Sequence, residues 1–412
     1  MIDIGKFRNI RYEKRTMCMA CGAAVGKPLI SLPDFPLSEI YTDHPVGEKA
    51  GFVDQEFCLC KSCGHGQLLN IIPPELLYFG SSYFFRTSQS KTVVPAVDFF
   101  LDFIEGVLKG RAYNTIADIG CNDLYMLKKL GTRAKRLLGI DPVLSGREKE
   151  LSDDKTVVIG DLFENAVARH NVSFDKDLVL SSHTLEHVKD PKWLVKTVLD
   201  SSTQNTLFGF QFPGFESLVR DARFDQVFHQ HYNYFTLKSV IRMLTDLGAE
   251  LIAYKVNPYH WGALMIVFRK NPSGSAAWHG KFEHDAVQLT GEEVLMQYTV
   301  FRDAMKLANE RLAAWKGTAG TAVYGYGAAN MLPILSYHMK NDLSCLQAVL
   351  DDDERKQGMY YINLPVAIKS PSVVKNFEDV ALFLTAIDNS RILVPKLISL
   401  RPKKVILPLN IL

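Results

Sequence analysis

Between residues 115 and 268 the chain repeats one pattern: a short apolar run, a turn, then a stretch with helical spacing. The runs are Thr115–Gly120, Arg136–Asp141, Thr156–Gly160, Leu178–Ser182, Leu207–Phe212 and Leu264–Phe268. Parallel strands need a crossover long enough to hold a helix, so this alternation points to βαβ units and a mainly parallel sheet. A second α/β set follows at Thr321–Gly327, Leu346–Asp351, Val380–Leu384, Ile392–Val394 and Lys404–Leu407. Between the two sets, Gly291–Trp315 carries Val294, Leu295, Tyr298, Phe301, Met305, Ala308 and Leu312 at helical spacing and is expected to be a connecting helix. The first 75 residues differ. They are rich in Cys, Pro and Gly, with too few apolar residues for a core of their own. The expectation is an α/β protein in three parts, 1–75, 76–290 and 291–412, which suits a chain of 412 residues.

Charge gives little to build on. Lys+Arg is 47 against Asp+Glu 45, so no nucleic-acid or membrane-surface partner is indicated. The N-terminus lacks the basic-then-apolar layout of a secretory signal, and no apolar stretch approaches the roughly 20 residues of a membrane span. Five of the seven cysteines crowd the first 63 residues, and an odd total argues against a disulfide framework. A reducing cytoplasm is the expected setting.

Cys18-Met-Ala-Cys21 and Cys60-Lys-Ser-Cys63 form two CxxC knuckles, each followed by glycine, Gly22 and Gly64. Two such knuckles supply four thiolates for a tetrahedral Zn²⁺ ion, a closed site that holds structure and does no chemistry. Cys58 is a spare thiol, and His65 is expected to be an exposed neighbour.

A cofactor loop is visible at Asp118-Ile-Gly120-Cys-Asn122-Asp123, after the first strand and before the helical stretch Tyr125–Leu130. A strand–Asp–x–Gly turn lets backbone approach an S-adenosylmethionine tail with no Cβ in the way. Asp141 ends the next strand, where a carboxylate can take both ribose hydroxyls. Asp161, Leu162 and Phe163 end the third, where the acid can accept from the adenine amino group and the ring can cover the base. An NAD site is the competitor, but no GxGxxG is present here. After the fourth strand come His183, Glu186, His187 and Asp190; farther on, Phe228-His229-Gln230-His231-Tyr232-Asn-Tyr234-Phe235 forms a second cluster. So many histidines and tyrosines would be odd in a core segment, so His231 and His187 are candidate site residues, with His183 and His229 behind them.

With these residues laid out, the chain resembles the sugar C-methyltransferase family of deoxysugar biosynthesis, whose members methylate nucleotide-linked ketosugars at carbon. The likeness includes both knuckles, Gly66-Gln67-Leu68, the DIGxND loop, the LEH rim, Phe224-Asp-Gln226 with His231, Gly325-Tyr-Gly327-Ala-Ala and Lys356-Gln-Gly358. It implies a small zinc-binding domain, a central Rossmann-like methyltransferase domain using S-adenosylmethionine, and a C-terminal Rossmann-like α/β domain on the substrate side. His231 would be the base and His187 would hydrogen-bond the oxyanion, with Tyr232 or Tyr234 as a helper. His183 would lie against the cofactor. The chain departs from the pattern where a Tyr-x-Glu-His group becomes Phe228-His229-Gln230-His231, and Leu124 stands where glycine is usual. A family tyrosine falls near Tyr83. The lost carboxylate leaves O- or N-methylation open, and a non-catalytic cofactor-binding scaffold is a third expectation.

Overall fold

A computed structural model describes residues 3–47, 49–78, 86–110, 112–170, 172–259, 261–271, 282, 284–316 and 321–408. Its largest sheet has seven strands: β1 Tyr113–Ile119, β2 Ala134–Ile140, β3 Thr156–Ile159, β4 Leu178–Ser182, β5 Leu207–Phe212, β6 Ala249–Val256 and β7 Leu264–Lys270. Their order is β6-β7-β5-β4-β1-β2-β3. Strands β1 to β5 run parallel, β7 runs antiparallel to β5, and β6 antiparallel to β7. Strand β6 was not among the expected runs. Among the described residues it pairs in the sheet with β7, and a register shift between Leu251 and Ala253 breaks its alternation.

Both faces of the sheet are covered, which is why its strands read as continuous apolar runs. The helix Val93–Leu108 buries Val93, Val97, Phe100, Leu101 and Ile104 against Ile116, Leu178 and Leu180. The helix Leu237–Asp246 packs Val240, Ile241 and Leu244 with Ala117, Ile119 and Val179 on the opposite face. Its start is held by a reciprocal Thr236–Ser239 capping box.

The second sheet contains β8 Ala322–Tyr326, β9 Val349–Leu350, β10 Ile368–Lys369, β11 Val380–Leu384 and β12 Lys404–Ile406, all parallel in the order β10-β9-β8-β11-β12. The strand expected at Ile392–Val394 is instead part of a helix, Ser390–Ser399. A three-residue apolar run has no period to separate the two states, and β11 already pairs with β12 on its free side.

The N-terminal stretch does not stand alone. Ile30–Pro36, Phe52–Leu59 and Gly66–Leu68 form a sheet that Asn233–Tyr234 completes, and Tyr41–Thr42 pairs with Tyr360–Tyr361. One apolar core joins Phe35 and Phe57 of this stretch to Leu335 and Phe383 of the last part. The helix Gly291–Lys316 adds Val294, Phe301, Met305, Ala308 and Leu312 to that core. Residues 228–235 are buried throughout. Their aromatic richness, read in the sequence as unlike a core, is that of a core strand and its approach. Among the described residues, no helix is long and apolar enough to cross a membrane.

Arg223 ties the two α/β parts together. Its guanidinium clasps Asp225 through two bonds of 2.8 and 2.7 Å and also reaches Asp388, which accepts from Trp261 Nε1 at 2.8 Å. Asp225 has only 1% side-chain exposure, so removing the cation strands a buried charge. Arg223→Ala is expected to cost about 3–5 kcal/mol, read by denaturant unfolding of the full chain.

Candidate active site

The order of the large sheet reverses between β4 and β1, and a parallel sheet opens a crevice at the carboxyl ends of the strands at such a point. The order of the second sheet reverses likewise between β8 and β11. Both crevices open into one cavity of about 550 Å³, a size suited to small molecules. Asp118, Gly120, Asp141 and His183 line one wall, and Tyr326, Gly327, Asp351 and Asp388 the other.

Asp118 sits at the floor. It is fully buried, and neither carboxylate oxygen has a hydrogen-bond partner among the described residues. Burial, and then the nearby Asp141, push its pKa well above the usual carboxylate range. An unpaired buried carboxylate is costly until a cation or donor reaches it. Gly120 follows at φ +78, and a Cβ there would lie 1.8 Å from Thr184 Oγ1. That hydroxyl donates to Ile119 O at 3.1 Å, and Ser181 Oγ donates to the same carbonyl at 3.0 Å, pinning the tips of β1 and β4. Asp141 accepts from Asn122 N at 2.7 Å and Val143 N at 2.9 Å while facing the cavity. Asp161, Leu162 and Phe163 line it too. Phe163 also packs against Phe174 and Trp193 at 5.6 and 5.7 Å.

Two residues of the expected cofactor loop have other work. Asp123 accepts from Ser88 N at 2.9 Å, and Asn122, which reaches the cavity, accepts from Thr87 N at 3.1 Å. They fasten the segment before the first long helix. Leu124 adopts φ +66, so the place where glycine is usual does keep a left-handed backbone. Its side chain is buried in compensation.

The histidines meet at the cavity. His187 Nδ1 donates to Gln230 O at 2.8 Å and His231 Nδ1 to Gln226 O at 3.2 Å, which makes Nε2 the basic nitrogen of each neutral ring. Their ring centroids are 4.9 Å apart. Burial lowers the His187 pKa, which favours the neutral ring. His183 lines the cavity with Nδ1 at 3.1 Å from Glu186 Oε1.

Other expected groups lie elsewhere. The Gln230 side chain turns to Ser38, accepting from its Oγ at 2.9 Å and donating to its carbonyl at 3.2 Å; only the Gln230 backbone serves the histidines. Tyr232 is fully buried and donates to Ile72 O at 2.8 Å. His229 uses both ring nitrogens on Gln55 and Phe35 O. Each belongs to the seam with the N-terminal sheet, where its partners Ser38, Ile72, Gln55 and Phe35 lie. Tyr83 lies outside the described residues. The sequence reading gave no role to Glu186, although the His-x-x-Glu spacing of a tight helical turn was there to be read.

The four knuckle sulfurs gather into one group, all within 4.8 Å of one another. Cys18 and Cys63 Sγ are 3.7 Å apart, as are Cys21 and Cys60. Bonds of about 2.3 Å to a tetrahedral zinc give sulfur–sulfur edges of about 3.8 Å. Gly22 and Gly64 take φ +74 and +76, repeating one turn in both knuckles. The hydrogen bond shared between Cys18 and Cys63 pulls the Cys18 pKa down and pushes that of Cys63 up. Cys58 is outside the group. His65, expected to be exposed, is fully buried against Phe235.

Sequence comparison matches residues 94–254 to the family described as "Methyltransferase domain". Those residues run from the first long helix to β6 and contain Asp118, Gly120, Asp141 and the His183–His187 rim. Residues 94–254 thus match a methyltransferase domain. The chain is also 20% identical over 255 residues to the C-methyltransferase NovU of Streptomyces niveus, covering 60% of this chain and 59% of that protein. The match thus spans about three fifths of the relative's length. Solved structures similar to this chain include the N-methyltransferase NodS of Bradyrhizobium japonicum WM9 with S-adenosyl-l-homocysteine (TM-score 0.34, 15% identity, 44% of this chain and 89% of that one). The plantazolicin methyltransferase BamL with S-adenosylhomocysteine is another (TM-score 0.36, 14% identity, 45% and 87%).

The domain depends on Gly120 for close approach. Gly120→Ala is expected to weaken S-adenosylmethionine at least tenfold, about 1.4 kcal/mol or more, by isothermal titration.

Proposed function

We propose that this chain transfers a methyl group from S-adenosylmethionine to a carbon of a nucleotide-linked ketosugar, as a cytoplasmic enzyme in deoxysugar biosynthesis. The observation that carries the reading is that two histidines, His187 and His231, line one cavity with the Asp118 carboxylate, which has no partner among the described residues. The distant likeness to a C-methyltransferase supports the choice of carbon. When bound, the cofactor supplies an electrophilic methyl group on a cationic sulfur. Asp118 offers the opposite charge to its methionine end, Asp141 accepts from the ribose, and Asp161 from the adenine amino group. The nucleotide and sugar would occupy the wall made by Tyr326, Gly327 and Asp351. His231 takes the proton from the carbon beside the ketone at Nε2, and His187 accepts a substrate hydroxyl. We assign a structural zinc ion to Cys18, Cys21, Cys60 and Cys63, and a three-domain division at 1–75, 76–290 and 291–412.

A second reading, O- or N-methylation, draws on Phe228 and Gln230, which bring neither a phenol nor a carboxylate to the loop. Labelled cofactor and a panel of nucleoside-diphosphate-linked ketosugars separate the two. Label at carbon, with solvent deuterium entering the substrate when cofactor is withheld, is expected; label on oxygen or nitrogen overturns carbon transfer. His231→Asn should abolish that exchange. For the metal, elemental analysis should find one zinc per chain, and chelation should lower Tm because the ion's binding energy is folding energy. A Tm indifferent to chelator removes the zinc assignment.

A further inference from the structure

The loop at 228–231 brings no carboxylate to the histidines, yet one stands among them. Glu186 is fully buried at the end of β4, and its Oε1 lies 3.1 Å from His183 Nδ1. A carboxylate oxygen of Glu186 and a ring nitrogen of each of His187 and His231 lie within 4.8 Å of one another. Its Oε2 is buried with no partner among the described residues. The backbone around it is firmly set. Glu186 O accepts from Tyr232 N at 2.8 Å, so the turn carrying Glu186 is bonded to the segment carrying His231. Asn233 Nδ2 adds a bond of 2.7 Å to Val188 O on the same turn.

We propose that Glu186 is the positioning carboxylate of the proton-transfer site: it holds His183 through one oxygen and keeps a negative charge beside His187 and His231. The inference rests on the reading above, in which a histidine removes a substrate proton. The titratable groups facing Glu186 are His183 and His187 on its own turn, and His231 and Tyr234 on the buried segment. Burial, and then the charge of Glu186, hold the Tyr234 hydroxyl well above its ordinary pKa, and it donates to Gln226 O, so it stays neutral. The histidines are therefore the groups whose charge Glu186 can steady. In the step itself, His231 Nε2 takes the proton from the acceptor carbon. The electron pair left on that carbon forms the new bond to the methyl carbon, while the pair of the broken S–CH3 bond passes to sulfur. The proton stays on His231, opposite Glu186, until solvent removes it. An imidazolium in a buried site is costly alone and far less so beside a carboxylate.

The test uses the full chain and Glu186→Gln, which keeps shape and removes charge. Ring C2–H NMR of the unliganded protein follows the histidines. A lower pKa of His231 in E186Q than in the unmodified chain is expected, because a histidine without its carboxylate binds a proton less tightly. Correspondingly, the acid limb of deuterium exchange into a nucleoside-diphosphate-linked ketohexose should move to lower pH. Its plateau should fall about ten- to a hundredfold, with the affinity for S-adenosylmethionine unchanged. E186D, which keeps the charge, should hold the limb near its original place. An unmoved His231 titration in E186Q overturns the proposal, since a purely structural Glu186 would leave it in place. If E186Q does not fold, His231→Gln answers by reciprocity: the ¹³C carboxyl titration of Glu186 should move up once its cationic neighbour is gone, and an unmoved titration again overturns it. None of the NMR readouts needs substrate. Failure of every ketosugar to exchange would therefore sink the substrate reading and leave this one to be decided by the titrations.

Discussion

The pairing of Asn233–Tyr234 with Gly66–Gln67 is the contact on which the rest of the structure depends. It draws residues 228–235 out of the methyltransferase domain and into the N-terminal sheet, where their backbone polar groups find partners and their rings find a core. Leu68 N donates to Tyr232 O, and the buried Arg15 donates to the same carbonyl at 2.9 Å and to Asn233 Oδ1 at 3.2 Å. Because the segment is gripped on both sides, His231 is held at one edge of the cavity with its tautomer set by Gln226 O. The N-terminal stretch is thus part of the site's frame, and the cysteine knuckles brace that frame from behind.

The parallel strands of two sheets aim their carboxyl ends at one cavity, and the charges there are arranged unequally. On the side of the large sheet Asp118 and Glu186 are buried acids, while burial raises the pKa of Asp141 against the backbone donors of Val143 and Asn122 and the Arg86 cation. On the other side Lys356 donates to Ala328 O at 2.8 Å and lies over the Tyr41 ring, next to Asp351 and Glu39. Burial raises Glu39 to about 7.

Much of the fold could be read from the chain. Six of the seven central strands lie where apolar runs predict them, because a strand covered on both faces needs such a run. Strand β6 escaped since its bulge blurs the pattern. Residues 392–394 were misread because so short a run does not separate strand from helix. At the site, Asp118, Gly120, Asp141 and Asp161 were legible as strand-tip residues. His229, Gln230 and Tyr232 were not separable from His231, since a side chain's direction depends on the register of a pairing between residues far apart in sequence.

By itself, the sequence determined the α/β alternation, the acids at successive strand ends, the glycine that keeps a tight turn open, and the two cysteine knuckles. These are local matters of spacing and backbone freedom. Only the tertiary structure decided which of the eight residues from 228 to 235 faces the cavity, that Gln230 turns to Ser38, and that Glu186 stands among three histidines. Those outcomes depend on distant segments competing for the same buried polar groups, and no local pattern records the result.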